Sequence, residues 1–230
     1  MQAPDLHPSR LEQARRAVRE LIPTLSGDRI GLVAFAGGAF TAAPLTTDYG
    51  GVLLALESLD TATIPRRGTS LAAAVDEAVR GFRGIREGSR ILILISDGED
   101  HEGATAAALE RARQAGIRIF AIGTGTPDGE LMPLPGGSFL KDRQGNVVKT
   151  RLNEDNLRQL ADATGGVYLR ATAEDFGLRR LYRERLTTLE RREAAGRQRP
   201  RYQERFQIPL ALAVVLLVAD PFVRQRRRQP

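Results

Sequence analysis

The sequence has no cysteine, no tryptophan and only two histidines among its 230 residues. The absence of cysteine excludes thiol catalysis, disulfide bonds and cysteine-bound zinc. The two histidines, His7 and His101, are isolated from one another, so a histidine-based metal site is not indicated. Aromatic residues amount to 5% of the chain, which argues against a surface that stacks nucleic-acid bases.

Acidic residues are outnumbered, and the formal net charge is +6 at pH 7. Arginines crowd the segment 179–228, whereas acids and bases alternate before it, as on a solvated surface. Basic residues around an apolar segment are typical of membrane flanks, and no nucleic-acid recognition motif accompanies the charge. We therefore predict no nucleic-acid partner and an association with a membrane.

Apolar, strand-like runs alternate with amphipathic helical segments over residues 1–185. The runs at 29–36, 90–95 and 117–122 are apolar on both faces, as buried strands of a parallel sheet are. The alternation predicts an α/β fold with a doubly wound, mostly parallel sheet, in which residues 90–95 form a central strand. The functional loops would then lie at the carboxyl ends of the strands.

Local signals predict where further elements begin. Ser9, Asp48 and Asn153 each precede a helical pattern and are expected N-caps. The remaining predicted elements are an edge strand at 40–45, helices at 71–82 and at about 104–115, a hairpin at 136–150 that turns at Gln144-Gly145-Asn146, a short strand at 167–169 and a helix from about residue 174.

Residues 206–223 form the longest apolar segment and include an uninterrupted run at 208–219. This length is at the lower limit for crossing a bilayer, and a buried or interfacial helix is the alternative. The run lacks the polar face that a soluble helix would show, so we predict a transmembrane helix.

The predicted organisation has four parts: the α/β domain at 1–185, an arginine-rich helical linker at 186–205, the membrane helix at 206–223 and a basic tail at 224–230. The tail favours a cytoplasmic C-terminus, with the domain outside the cytoplasm. Six arginines in the linker weaken this assignment, because they place positive charge on both sides of the helix.

Two polar clusters follow the predicted strands or precede a helix: Gly68-Thr69-Ser70 and Ser96-Asp97-Gly98-Glu99-Asp100. Taken alone, Thr69 is better explained as a helix cap and Asp97 as a loop-capping anion than as site residues. The acids after Asp97 lack the order of a calcium-binding loop, and Gly123-Thr124-Gly125 lacks the spacing of a dinucleotide fingerprint.

Several separated motifs resemble, in order, the von Willebrand factor A-type (VWA) domains of bacteria, and more narrowly the membrane-anchored aerotolerance, or Bat-type, group. These motifs are GDRIGLVAFAGGAF, PLTTDY, RRGTS, ILILISDGEDHEG and IFAIGTGTP. The resemblance runs from about residue 9 to 181. It implies a non-catalytic protein that binds an acidic side chain of a protein partner, within a membrane-associated complex.

The resemblance also implies a metal-ion-dependent adhesion site for Mg²⁺ or Mn²⁺, with Thr69 and Asp97 as ligands. Hydroxyl and carboxylate oxygens are the ligands that such hard cations prefer. The family's D-x-S-x-S motif and the first strand that carries it are absent from this sequence. We expect that Met1 is an internal methionine of a truncated gene product, and that metal binding by this chain is weak or absent.

Two other classes of function compete with metal-dependent adhesion. One is a structural subunit of a membrane complex that has no working metal site. The other is a hydrolase, although the sequence has no nucleophile elbow and no zinc-protease motif. We therefore predict that the protein is not an enzyme.

Overall fold

A computed structural model describes residues 1, 3–25, 27–60, 63–66, 68–85, 89–100, 103–131, 139, 145, 147–172 and 174–186. The predicted linker beyond residue 186, the membrane helix at 206–223 and the basic tail lie outside these residues. Within the described part of the chain, no helix has both the length and the apolar character needed to cross a membrane.

The described helices are α1 (Arg10–Leu21), α2 (Tyr49–Ser58), α3 (Leu71–Gly81), α4 (Thr105–Gln114), α5 (Glu154–Ala163) and α6 (Leu178–Leu181), with a 3₁₀ turn at Ile22–Thr24 and a π-helical turn at Tyr182–Leu186. The described strands are β1 (Ile30–Phe35), β2 (Ala39–Thr46), β3 (Arg90–Ser96), β4 (Ile117–Gly123), β5 (Glu130–Leu131), β6 (Lys149–Thr150) and β7 (Tyr168–Arg170).

The predicted helix caps are confirmed. The side chains of Ser9, Asp48 and Asn153 each accept a hydrogen bond from a backbone N–H three residues further on. Such a bond satisfies one of the donors that the first turn of a helix leaves free. The starts of α1, α2 and α5 are therefore encoded locally.

Strands β3, β4 and β7 form a parallel ladder with helices on both of its faces. Ile119 and Ala121 of β4 pack with helices α3, α4 and α5. Phe120 and Ile122 point the other way and pack with α1 and α6. This two-residue alternation in a buried strand produces the two helical layers of a doubly wound α/β fold.

Strands β1 and β2 form a separate antiparallel ladder, covered by α2. The predicted single, mostly parallel sheet is thus described as a parallel ladder and an antiparallel one, apart from the small β5–β6 pair. Both larger ladders contact helix α3, with Phe35 of β1 packing against the same core as Leu71 and Leu94.

The predicted central position of residues 90–95 is wrong for the described ladder, because β3 pairs only with β4 and therefore lies at an edge. Burial reflects this position. Six of the seven β4 residues are buried, but only Leu94 and Ser96 of β3 are buried. An apolar composition reports what a strand's faces can contact and carries no information about which of its edges is paired.

Smaller elements also shift. The predicted edge strand at 40–45 is one residue longer at each end, Ala39–Thr46. The first strand of the predicted hairpin lies before residue 136, because Glu130 pairs with Thr150. Gly145 has the expected positive φ of 87°, but most of the connecting loop lies outside the described residues. The helix predicted from residue 174 starts at Leu178, because Gly177 adopts a left-handed conformation and its N–H bonds to the carboxylate of Asp175.

Candidate functional site

The loops after β3 and β4 are tied together by backbone hydrogen bonds at the carboxyl end of the parallel ladder. The Thr124 N–H donates to the Ser96 carbonyl at 2.9 Å, and the Asn153 N–H donates to the Asp97 carbonyl at 2.8 Å. These bonds bring the end of β3, the end of β4 and the start of α5 to one edge. We call this edge, with Asp97, Thr124, Thr150 and Asn153, the rim.

Asp97 lies on the rim with both of its carboxylate oxygens engaged. Its Oδ2 accepts hydrogen bonds from Arg10 Nη1 at 3.2 Å and from Thr150 Oγ1 at 3.0 Å. Its Oδ1 accepts from the Glu99 N–H at 3.3 Å. The predicted site aspartate therefore anchors a hydrogen-bonded network on the rim.

Arg10 belongs to the first turn of α1, and its side chain is fully buried. Its guanidinium forms a two-pronged pair with Asp5, with Nε to Oδ1 at 2.8 Å and Nη2 to Oδ2 at 2.7 Å. Burial alone would raise the pKa of the Asp5 carboxyl. The hydrogen bonds and positive charge of Arg10 outweigh burial, so this pKa lies below its usual value.

The α-amino group of Met1 belongs to the same charged region. Burial lowers its pKa, and this effect outweighs the opposing attraction of the Asp97 carboxylate. Helix α1 is also joined to this segment through the backbone, because the Leu11 N–H donates to the Met1 carbonyl at 3.0 Å. The start of the described chain thus contacts the rim through α1 and its charged groups.

Thr69 lies in the loop before α3, at the carboxyl end of β1. The neighbouring Ser70 N–H donates to the Ala36 carbonyl at 2.7 Å, and the Gly37 N–H donates to the Arg66 carbonyl at 3.1 Å. The N-cap of α3 is Ser70, whose Oγ accepts from the Ala73 N–H. The interpretation of Thr69 as the cap of this helix is therefore wrong, and Thr69 itself is half-buried.

The two predicted ligands lie at the ends of different ladders, Thr69 beyond β1 and Asp97 beyond β3. Among the hydrogen bonds of the described residues, the Asp97 carboxylate accepts from Arg10, Thr150 and Glu99 and not from Thr69. The same residues contain no group of three or more acids or histidines arranged to hold a metal.

This arrangement does not fit a bound divalent cation. A guanidinium already donates to Asp97 Oδ2, and its positive charge repels a metal ion that approaches the same oxygen. Mg²⁺ or Mn²⁺ ligation by Thr69 and Asp97 stays a prediction.

A polar groove of about 530 Å³ lies at the rim, where Asn153 forms part of its lining. Its lining mixes both signs of charge and comes mainly from Glu99, Arg151, Asn153, Glu154, Asp155 and Arg158. The Arg151 N–H donates to Glu99 Oε1 at 2.8 Å, and the Arg158 guanidinium stacks over the Tyr168 ring at 5.0 Å. A groove with paired charges of both signs suits a polar protein surface.

Sequence reasoning placed Asp97 on the rim but missed Asp5, Arg10 and Thr150. Arg10 is the first residue of a helix, where an arginine in the sequence has no evident special role. Its hydrogen bonds to Asp97 and Thr150 join residues that are 87 and 140 positions apart in the chain. A local pattern carries no signal for contacts of that range. The usable signal was the acid at position 5 followed by a basic residue in the first helical turn.

A model of the von Willebrand factor type A domain matches residues 1–99, a range that contains Thr69 and Asp97. A UPF0353 protein of Mycolicibacterium paratuberculosis is 30% identical over 186 residues, covering 75% of this chain and 52% of that protein. A UPF0353 protein of Nocardia farcinica is 27% identical over 190 residues. The chain spans about half the length of the curated relatives it matches.

Two solved structures match over more of their length. The conserved hypothetical protein BatB of Bacteroides thetaiotaomicron is 35% identical, with a TM-score of 0.78, and the match covers 83% of this chain and 93% of that one. An aerotolerance-related membrane protein of Bacteroides fragilis, solved with multiple mutations to serines, is 37% identical with a TM-score of 0.75. That match covers 80% of this chain and 92% of the solved one.

Proposed function

The chain belongs to the von Willebrand factor type A family, in its Bat-type group, and on that basis we propose that it is a non-catalytic protein that binds a protein partner in a membrane-associated complex. The observation that carries the proposal is the match to two solved Bat-type chains over more than nine-tenths of their length. One of these proteins is described as a membrane protein related to aerotolerance.

The rim supports binding as the mode of action. Its charged groups are held in hydrogen bonds and ion pairs, as the Asp97 carboxylate is by Arg10 and Thr150. Beside them the groove offers exposed carboxylates and guanidinium groups to a partner. The partner's contacting surface is expected to be polar and to include an acidic side chain.

A metal-dependent form of binding is the finer part of the proposal. It requires Thr69 and Asp97 to share a cation with further oxygen ligands, of the kind that the family's D-x-S-x-S motif supplies. In the present chain we expect Mg²⁺ or Mn²⁺ binding to be weak or absent. A structural subunit that binds its partner without metal is the second candidate, and the Arg10–Asp97 pair favours it.

Membrane attachment through residues 206–223 completes the proposal, with the domain outside the cytoplasm and the C-terminus inside. The support is the apolar sequence of that segment and the basic residues that follow it.

Site-specific crosslinking in native membranes tests the binding role. In one variant a photo-crosslinking amino acid replaces Asp155, which is exposed in the groove. In the control it replaces Thr47, which is exposed near the start of β1, at the end of the β1–β2 ladder that lies away from Thr69. We expect a discrete protein adduct from position 155 and none from position 47. Equal labelling from both positions, or no adduct from position 155, would overturn the proposal.

A matched pair of variants then tests the metal. Thr69→Ala removes the predicted hydroxyl ligand, and Thr47→Ala makes the same change at the opposite end. If binding is metal-dependent, chelator and Thr69→Ala each reduce the adduct while Thr47→Ala does not. An adduct that survives both treatments identifies the structural subunit.

A further inference from the structure

The guanidinium of Arg10 lies inside a pocket of oxygen atoms. Four hydrogen bonds to Asp5, Asp97 and Thr150 surround it, with lengths between 2.7 and 3.2 Å. These oxygens come from three separate segments: the chain before α1, the loop after β3, and β6. Two carboxylates and a hydroxyl around one centre form a set of hard donors, the kind that divalent cations take from proteins.

The pocket encloses the guanidinium closely. Arg10 is fully buried, the Asp5 side chain is 3% exposed and the Asp97 side chain 15% exposed. Gly125 closes one side, where an added Cβ would lie 2.8 Å from Arg10 Cζ. The backbone of the β4 loop therefore approaches the guanidinium more closely than any residue with a side chain would allow.

We propose that the positive charge of Arg10 takes the place of a metal ion at this rim, so that its guanidinium and a divalent metal ion exclude one another at Asp97. Once the guanidinium is removed, the oxygens of Asp5, Asp97 and Thr150 bind a divalent cation. The proposal concerns the charge balance of the rim and does not depend on any partner. It makes Arg10 the residue that decides whether Asp97 is paired within the chain or available to a metal.

This mechanism differs from a simple shortage of ligands. If Thr69 and Asp97 were merely too few to hold a cation, shortening Arg10 would leave metal binding as weak as before. If Arg10 excludes the cation, shortening it removes a positive charge next to Asp97 and takes away the guanidinium that pairs with both carboxylates. Binding of a divalent cation is then favoured for two reasons: the guanidinium no longer repels the metal ion, and the two carboxylates have lost the group that paired with them.

The test measures Mn²⁺ binding to the full 230-residue chain in detergent by electron paramagnetic resonance and titration calorimetry. Arg10→Ala removes the guanidinium. Arg16→Ala is the matched control, because Arg16 lies on the same helix with its side chain 69% exposed. Arg10→Lys keeps the positive charge, and the double variant Arg10→Ala with Asp97→Ala removes a proposed ligand.

We expect Arg10→Ala to bind Mn²⁺ at least about tenfold more tightly than the unmodified chain. Arg16→Ala and Arg10→Lys should stay at the unmodified level, and the double variant should lose the gain. A folded Arg10→Ala chain that gains no affinity would overturn the proposal. If Arg10→Ala fails to fold, Arg10→Gln takes its place, because it removes the charge and keeps part of the side chain; a folded Arg10→Gln chain that gains no Mn²⁺ affinity overturns the proposal equally. Micromolar Mn²⁺ binding to the unmodified chain that Asp97→Ala abolishes also contradicts mutual exclusion.

Discussion

At the residue scale, the buried charges of this domain are held as hydrogen-bonded sets. Asp5 and Arg10 form a two-pronged pair away from solvent. Removing one partner of such a pair leaves an uncompensated buried charge, which costs more than the pair itself contributes. Stability therefore depends on the protonation of Asp5.

Acid should weaken the fold through Asp5. Its folded-state pKa lies below the ordinary value of 3.8, so its contribution is fully present above that value and is lost as the pH falls through the folded-state pKa. We expect the free energy of unfolding in urea to fall more steeply below about pH 4 for the unmodified chain than for Asp5→Asn. Asp155→Asn, at an exposed aspartate, should keep the unmodified slope. Identical slopes for all three proteins would contradict this role of Asp5.

Tyr168 differs from Asp5, because its buried hydroxyl oxygen is not held by a hydrogen bond in the described part of the chain. Its hydroxyl oxygen has no hydrogen-bond partner within the described structure, and burial raises its pKa to about 12. Tyr168→Phe removes a desolvated group, so we expect unchanged stability or a gain of up to about 1 kcal/mol in urea unfolding.

Tyr182 is the matched control for this substitution. Its hydroxyl donates to Asp28 Oδ2 at 2.8 Å, and Tyr182→Phe should lose about 1 kcal/mol or more. A larger loss for Tyr168→Phe than for Tyr182→Phe would show that the Tyr168 hydroxyl has a stabilising partner.

At the scale of elements, β3 and β4 differ in exposure although both are strongly apolar. Strand β4 pairs with β3 and β7, whereas β3 pairs with β4 alone among the described strands. Backbone amides that lack a ladder partner exchange through smaller openings than amides inside the ladder. The two strands should therefore separate in hydrogen exchange.

We expect peptides that cover β3 (Arg90–Ser96) to take up deuterium faster than peptides that cover β4 (Ile117–Gly123), measured by mass spectrometry at neutral pH. The slow fraction of β3 should correspond to the amides that face β4. Uniformly slow exchange across β3 would contradict its description as an edge strand.

Elements defined by local chemistry were predictable. Side-chain caps fixed the starts of three helices, and buried apolar runs located β1, β3 and β4 to within a residue or two. Pairing was not predictable, because the apolar faces of β3 look the same whether one of its edges is paired or both are. The same distinction applies to the site. Asp97 was predictable because it directly follows an apolar strand, whereas its contact with Arg10 was not, because the two residues are 87 positions apart in the chain.

At the scale of the whole molecule, attachment to a membrane depends on the predicted helix at 206–223. A charge placed at the centre of such a helix costs roughly 3 kcal/mol of insertion free energy. Because this segment is at the short limit for spanning, one charge should suffice to impair insertion.

We expect the unmodified chain to stay in the membrane pellet after an alkaline wash, and Val215→Arg to shift a large part of it to the supernatant. Val215→Leu, which keeps the segment apolar, should stay in the pellet. Release of all three proteins alike would show that residues 206–223 do not anchor the chain.

The closeness of Gly125 to Arg10 has a consequence for how this protein varies. A methyl group at position 125 would press on the Arg10 Cζ and drive the guanidinium away from Asp97 and Asp5. An uncharged change in a loop, distant in the chain from every acid it affects, would thereby alter the electrostatic field of the rim. Homologues that differ at this glycine are therefore the natural variants in which the charge pairing of the rim is expected to be rearranged.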